Sequence, residues 1–101
     1  MPLKHITPSE AKKLVDEGAV LIDVREAYEH VAENIPGSRN APLSRLGRGA
    51  IGGTKLVFFC KSGARTRMNA RALADCSEAE AYILDGGIEA WKAAGLPVKR
   101  G

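Results

Sequence analysis

No stretch of this 101-residue chain approaches the roughly 18 consecutive apolar residues that a membrane-crossing helix needs. The N-terminus also lacks the apolar segment of a secretory signal. Both absences point to a soluble, cytoplasmic protein with no membrane partner. Acidic residues are missing altogether between Asn34 and Ala74, where Arg39, Arg45, Arg48, Lys55, Lys61, Arg65, Arg67 and Arg71 all fall. No aromatic interleaving and no reader motif accompanies these charges, so a nucleic-acid partner is not expected and a small anionic substrate fits better. No second His, Cys or carboxylate stands near His5 at metal-site spacing, and neither a metal nor a cofactor is implied. Gly47–Gly53 is rich in glycine, but no lysine and helix follow it directly, which excludes a phosphate cradle and leaves a loop.

Cysteine is scarce. Cys60 and Cys76 are the only two, and a helix between them separates its ends by about 15 Å. A disulfide needs Cα atoms within about 7 Å, so both are expected to be free, as reducing surroundings allow. Cys76 is expected to be a packed or half-exposed thiol. Cys60 is different, because it ends the apolar run Leu56–Phe59. That run lacks polar alternation, the mark of a short strand buried on both faces. From Arg65 a helix is predicted to about Asp75, with Met68, Ala72 and Leu73 on its inner side.

Cys60 is thus predicted at a strand's carboxyl end, before a helix start, where ligands of open α/β sheets bind. Unpaired N–H groups there favour an anion or thiolate. With Lys61 and Arg65 alongside, the thiol should fall below its reference pKa of about 8.5. The loop Cys60-Lys61-Ser62-Gly63-Ala64-Arg65 is short and holds a glycine, which suits backbone amides converging on one point.

The remainder alternates strands and helices. Thr7-Pro8-Ser9-Glu10 is a capping box opening a helix to about Glu17. Ala19–Val24 is predicted as a central strand ending in Asp23-Val24-Arg25, whose carboxylate and guanidinium are expected to pair and hold a loop. Ala27–Ala32 is a short helix expected to turn Tyr28 and Val31 inward and His30 outward. Ile35-Pro36-Gly37-Ser38 is a turn, Arg39–Ala41 a brief edge strand and Leu43–Leu46 a helical segment. Ala81–Leu84 is a buried strand, Asp85-Gly86-Gly87 a turn, and Ile88–Ala94 a helix anchored by Trp91 and stopped at Gly95 and Pro97. The alternation predicts one α/β domain over residues 1–101, a parallel sheet with helices on both faces; a monomer is expected.

Four motifs in this order, Leu21-Ile-Asp-Val-Arg25, Ile35-Pro-Gly-Ser38, Cys60-Lys-Ser-Gly-Ala-Arg65 and Gly86-Gly-Ile-Glu-Ala-Trp91, resemble those of the single-domain rhodaneses over nearly the whole chain. The resemblance implies a five-stranded parallel sheet and a thiosulfate sulfurtransferase. Cys60 would carry a persulfide, and the loop Lys61, Ser62, Gly63, Ala64, Arg65 and Thr66 would cradle the outer sulfur, with Arg65 and Lys61 binding the anionic donor. Asp23 and Arg25 would be structural support. The partners implied are a small anionic sulfur donor and a thiophilic acceptor, with a sulfur-relay protein as a further partner. Many members have His where this chain has Asn34. Relatives that process phosphate or arsenate on this fold place five residues between cysteine and arginine, whereas four stand here. A carrier module loaded by a partner protein is the other alternative.

Overall fold

The computed structural model describes residues 3–46 and 51–101. After β1 (Lys4–Ile6), Thr7 starts α1 (Pro8–Asp16). Its Oγ1 accepts from the Glu10 amide at 3.2 Å while Glu10 Oε1 accepts from the Thr7 amide at 3.0 Å, so two otherwise orphaned donors are satisfied reciprocally. β2 (Val20–Asp23), α2 (Ala27–Ala32), β3 (Glu33–Asn34) and β4 (Arg39–Asn40) follow, then a 3₁₀ turn at Leu43–Arg45. β5 (Lys55–Phe59) leads through the Cys60 loop to α3 (Ala64–Met68) and α4 (Ala70–Asp75). β6 (Glu80–Leu84), α5 (Gly87–Ala93) and β7 (Lys99–Arg100) complete the chain.

Five strands form one parallel sheet in the order β1-β6-β5-β2-β4. The chain leaves β2 for the edge at β4 and returns on the other side as β5, so the crossovers diverge between β2 and β5. That divergence opens a crevice at the strands' carboxyl ends. In register, Asp23 lies opposite Phe59, which brings Val24 and Arg25 beside Cys60.

Alternate residues of the central strands serve two cores. Leu21, Val57, Phe59 and Leu84 pack with Ala11, Ile88 and Trp91 on the side of α1 and α5. Ile22, Val24, Leu56, Phe58 and Cys60 pack with Leu73 and Cys76 on the side of α4. Burial on both faces is why β5 shows no polar alternation. Trp91 is buried and donates from Nε1 to the Pro97 carbonyl at 2.8 Å, which satisfies its one polar atom.

Several expectations are corrected. The helix after the loop is two pieces, because Asn69 (φ −114°, ψ 19°) leaves helical geometry and its Nδ2 donates to the Arg65 carbonyl at 2.8 Å. Thr66 and Leu73 take the interior positions and Met68 is 85% exposed. α2 is inverted relative to its apolar pattern: Tyr28 and Val31 face out, while Glu29 turns inward onto the part-buried Arg65 and His30 onto the buried Asp23. β1 and the antiparallel pair β3–β7 were not anticipated; in that pair Glu33 accepts from Lys92 Nζ at 3.1 Å and Arg100 Nε at 3.0 Å. Of the glycine-rich stretch predicted as a loop, residues 47–50 lie outside the described residues, and Ile51–Gly53 has no regular structure.

Candidate active site

The geometry around Cys60 is set from behind. α5 begins directly under the loop, and its first amides donate to the loop's carbonyls, Ile88 N–H to Cys60 O at 2.9 Å and Glu89 N–H to Lys61 O at 3.1 Å. These are N-terminal helix donors that would otherwise lack partners. In a trans peptide the N–H points opposite to the C=O, so fixing both carbonyls toward α5 turns the Lys61 and Ser62 amides the other way. The close approach requires Gly87: its φ is +60°, and a Cβ there would lie 2.5 Å from the Cys60 carbonyl oxygen.

Cys60 is fully buried, and its Sγ accepts from the Gly63 amide at 3.1 Å. The Thr66 Oγ1 lies 3.8 Å away and donates to the Gly63 carbonyl at 2.9 Å, so its one hydrogen is within reach of either acceptor. Burial pushes the Cys60 thiol up, but the amides of Thr66, Gly63 and Arg65 and the Thr66 hydroxyl outweigh it, and the net pKa is lowered. Cys76 provides an internal comparison. It is equally buried, yet its Sγ donates to the Leu73 carbonyl at 3.0 Å and burial raises its pKa. One sulfur is surrounded by donors and the other is itself a donor. Only Cys60 is built to hold a thiolate.

Of the loop side chains, Lys61, Ser62 and Ala64 are exposed and Thr66 is buried. Arg65 forms a two-pronged pair with Glu29 of α2, Nη1 to Oε1 at 2.8 Å and Nη2 to Oε2 at 2.9 Å. The Arg65 hydrogen bonds, against burial and aided by the Glu26 amide, hold the Glu29 carboxyl down at about 2. Arg65 in turn is raised, first by Glu29 and also by the nearby charges of Cys60 and Asp23. Sequence reasoning placed Arg65 at the site but missed the carboxylate that orients it.

The exit of β2 forms the adjacent wall. Asp23 is fully buried and accepts from Arg25 N–H at 3.0 Å, Nε at 2.9 Å and Nη2 at 2.7 Å. His30 Nδ1 is 2.9 Å from Asp23 Oδ2 and carries the hydrogen there, since a carboxylate only accepts. Arg25 also donates to the Glu33 carbonyl at 2.6 Å and lies 6.0 Å over the Phe59 ring. This network fixes the segment from Asp23 to Glu33, and therefore α2 and Glu29, against the Cys60 loop. Among the described residues no group of three or more His, Cys, Asp or Glu is placed to hold a metal ion, and no helix is long and apolar enough to cross a membrane.

A family model described as Rhodanese-like domain matches residues 7–94. The chain belongs to the rhodanese family. The rhodanese-like domain is 33% identical over 92 residues to the thiosulfate sulfurtransferase GlpE of Pseudomonas fluorescens, covering 88% of this chain and 84% of that protein. It is 36% identical over 96 residues to slr1261 of Synechocystis, covering 91% of this chain but only about half, 54%, of that longer protein. Its fold is that of the rhodanese-like domain of Anabaena Alr3790, at TM-score 0.81 and 19% identity, covering 100% of this chain and 80% of the other. Within the domain, three contributors escaped the sequence reading. The Gly86-Gly87 pair was visible as a turn and as part of a motif, but its contact with the loop carries no local signal. Glu29 and His30 belong to a helix whose apolar pattern pointed the wrong way.

Proposed function

We propose that the protein is a sulfurtransferase that moves a sulfane sulfur from thiosulfate, or another sulfane donor, to cyanide or a thiol through a persulfide on Cys60. The observation that carries this reading is the ring of donors on the Cys60 sulfur, set against the donating thiol of Cys76. In the first step the Cys60 thiolate attacks the outer sulfur of thiosulfate. A new S–S bond forms, the old one breaks, and its electron pair leaves with sulfite. In the second step cyanide attacks the outer sulfur of the persulfide, thiocyanate departs, and the electron pair returns to Cys60 as thiolate. Both anionic sulfur states are held by fixed backbone dipoles, which need not reorganise between steps. The relatives named thiosulfate sulfurtransferase support the donor class. The four-residue spacing between Cys60 and Arg65 supports sulfur over a tetrahedral oxyanion, which needs a wider ring.

Loading by a partner protein is a second reading, favoured by the pairing of Arg65 with Glu29, which occupies one of the loop's two cations. Intact mass separates the two. After brief exposure to thiosulfate the reduced protein is expected to gain one sulfur atom, lose it to cyanide with thiocyanate appearing, and do neither as Cys60→Ser. No gain from thiosulfate, with a gain from a cysteine desulfurase, selects the carrier.

A further inference from the structure

Among the described residues, the large apolar side chains most exposed to solvent are Tyr28 at 75%, Val31 at 63% and Met68 at 85%. Their distribution is not scattered. Two are on α2 and one on α3, the helices that the Glu29–Arg65 pair ties together beside the Cys60 loop. α2 turns the half-buried Glu29 and His30 inward and presents its apolar residues, the reverse of what a helix covering a core does. Exposed cations accompany them, Arg67 on α3, Arg71 on α4 and Lys61 in the adjoining loop. Arg67 reaches the loop itself, its Nη1 lying 2.8 Å from where a Cβ on Gly63 would be.

An apolar centre with a charged rim, made of Tyr, Met and Arg, is the anatomy of a protein–protein contact. We propose that the outward face of α2 and the exposed flank of α3 and α4 form the docking surface for an acidic, partly apolar protein that presents the acceptor thiol to Cys60. The proposal rests on the sulfurtransferase reading and names the class of acceptor. Charge complementarity selects this occupant. A second copy docking through the same face would bring Arg67 and Arg71 against their own counterparts, since α3 and α4 carry no acidic residue before Asp75 and Glu29 of α2 is already held by Arg65. Nucleic acid would meet the cations but leave Tyr28, Val31 and Met68 without apolar contact. Transfer balances simply: the acceptor thiolate attacks the outer sulfur of the Cys60 persulfide, the S–S bond breaks, and the electron pair returns to Cys60 while the acceptor leaves as the persulfide.

The test uses two cysteine peptides of about 15 residues with equal leucine content, one glutamate-rich and one lysine-rich, offered to the persulfide-loaded protein. The acidic peptide is expected to take sulfur roughly ten-fold faster at low salt, the gap closing to about two-fold near 0.5 M salt. Tyr28→Ser and Met68→Ser, both at exposed positions, are expected to slow the acidic peptide about three-fold each while cyanide turnover stays unchanged. Equal rates for the two peptides, or no effect of either substitution, overturn the docking surface. Fluorescent serine versions of the same peptides, titrated into the unloaded protein, read docking without sulfur chemistry. If thiosulfate loads no sulfur but the acidic peptide still binds more tightly than the basic one, the donor reading fails and the surface stands. A labelled oligonucleotide that binds more tightly than the acidic peptide and displaces it overturns the choice of partner.

Discussion

Replacing Gly87 by alanine separates the backbone arrangement of the loop from its side chains. The new Cβ would lie 2.5 Å from the Cys60 carbonyl oxygen and 2.6 Å from that of Lys61, both backbone atoms. Each must retreat by roughly 1 Å to reach ordinary contact. That movement breaks the hydrogen bonds from the Ile88 and Glu89 amides, now 2.9 and 3.1 Å, at about 1 kcal/mol each. Holding alanine at φ +60° adds about 1 kcal/mol. The sum is about 3 kcal/mol, a fall of roughly 10–20 °C in Tm for a domain of this size. Gly95→Ala is the control, because Gly95 also has a positive φ, +78°, but nothing lies within 4 Å of its Cβ position. It should lose only the conformational part, about 1 kcal/mol. Chemistry should divide the pair more sharply, since pushing back the Cys60 and Lys61 carbonyls displaces the loop whose Gly63, Arg65 and Thr66 amides face the sulfur. An error of about 1 Å in such a site costs on the order of a hundred-fold in rate. Thermal unfolding by circular dichroism gives the stability difference, and thiolate absorbance against pH gives the Cys60 titration. If Gly87→Ala keeps the Cys60 pKa and sulfur-transfer rate of Gly95→Ala, the carbonyls held by α5 do not set the amides, and the reasoning is wrong.

Asp23→Asn leaves the Arg25 guanidinium buried without its countercharge and is expected to cost about 3–5 kcal/mol in urea unfolding; a loss under 1 kcal/mol refutes it. Glu29→Gln is expected to cost about 1 kcal/mol at neutral pH, because the pair with Arg65 is only partly buried. Since the Glu29 pKa is depressed in the fold, that stabilisation is full above the ordinary value of about 4.5 and fades as pH falls toward about 2, so the gap between variant and parent should close over that window. The two thiols should show opposite pH trends in stability. The lowered pKa of Cys60 adds stability that grows as pH rises toward about 8.5, and Cys60→Ser removes the growth. The raised pKa of Cys76 gives stability present below that value and lost as pH climbs through the folded pKa, and Cys76→Ser removes the loss. Parallel trends in the two variants would contradict the donor and acceptor assignments.

What the sequence made legible was whatever local physics decides. Leu56–Phe59 could only be a strand covered on both faces, and a cysteine followed by a glycine-bearing loop and a helical pattern placed the sulfur correctly. Thr7 and Glu10 announced the start of α1, and the order of the four motifs carried the family. What stayed hidden depends on partners distant in the chain. Apolar periodicity sent Tyr28 and Val31 inward, but Arg65, 36 residues beyond Glu29, and the buried Asp23 pull the polar side of α2 in instead. Rotating α2 to bury Tyr28 and Val31 would take His30 from the fully buried Asp23 and Glu29 from Arg65, leaving those charges less satisfied. Asn69 divides the helix after the loop into α3 and α4, its side chain bonding the Arg65 carbonyl, and no apolar count records that. β1, three residues long, owes its place to its register with Tyr82, Ile83 and Leu84 rather than to its own composition.

The backbone origin of the sulfur's donors has a consequence for how the site can change over generations. Amides are present whatever residue carries them, so the charge-stabilising apparatus is written into the turn and not into Lys61, Ser62 or Ala64. Those three side chains point to solvent and touch neither core. They are free to drift, and with them the preference among donors and acceptors, while Gly63, Gly86 and Gly87 must stay as they are. On the sulfurtransferase reading, substrate range can therefore be retuned at codons 61, 62 and 64 with little loss of fold or of thiolate. A library confined to positions 61, 62 and 64 is where altered specificity should be sought.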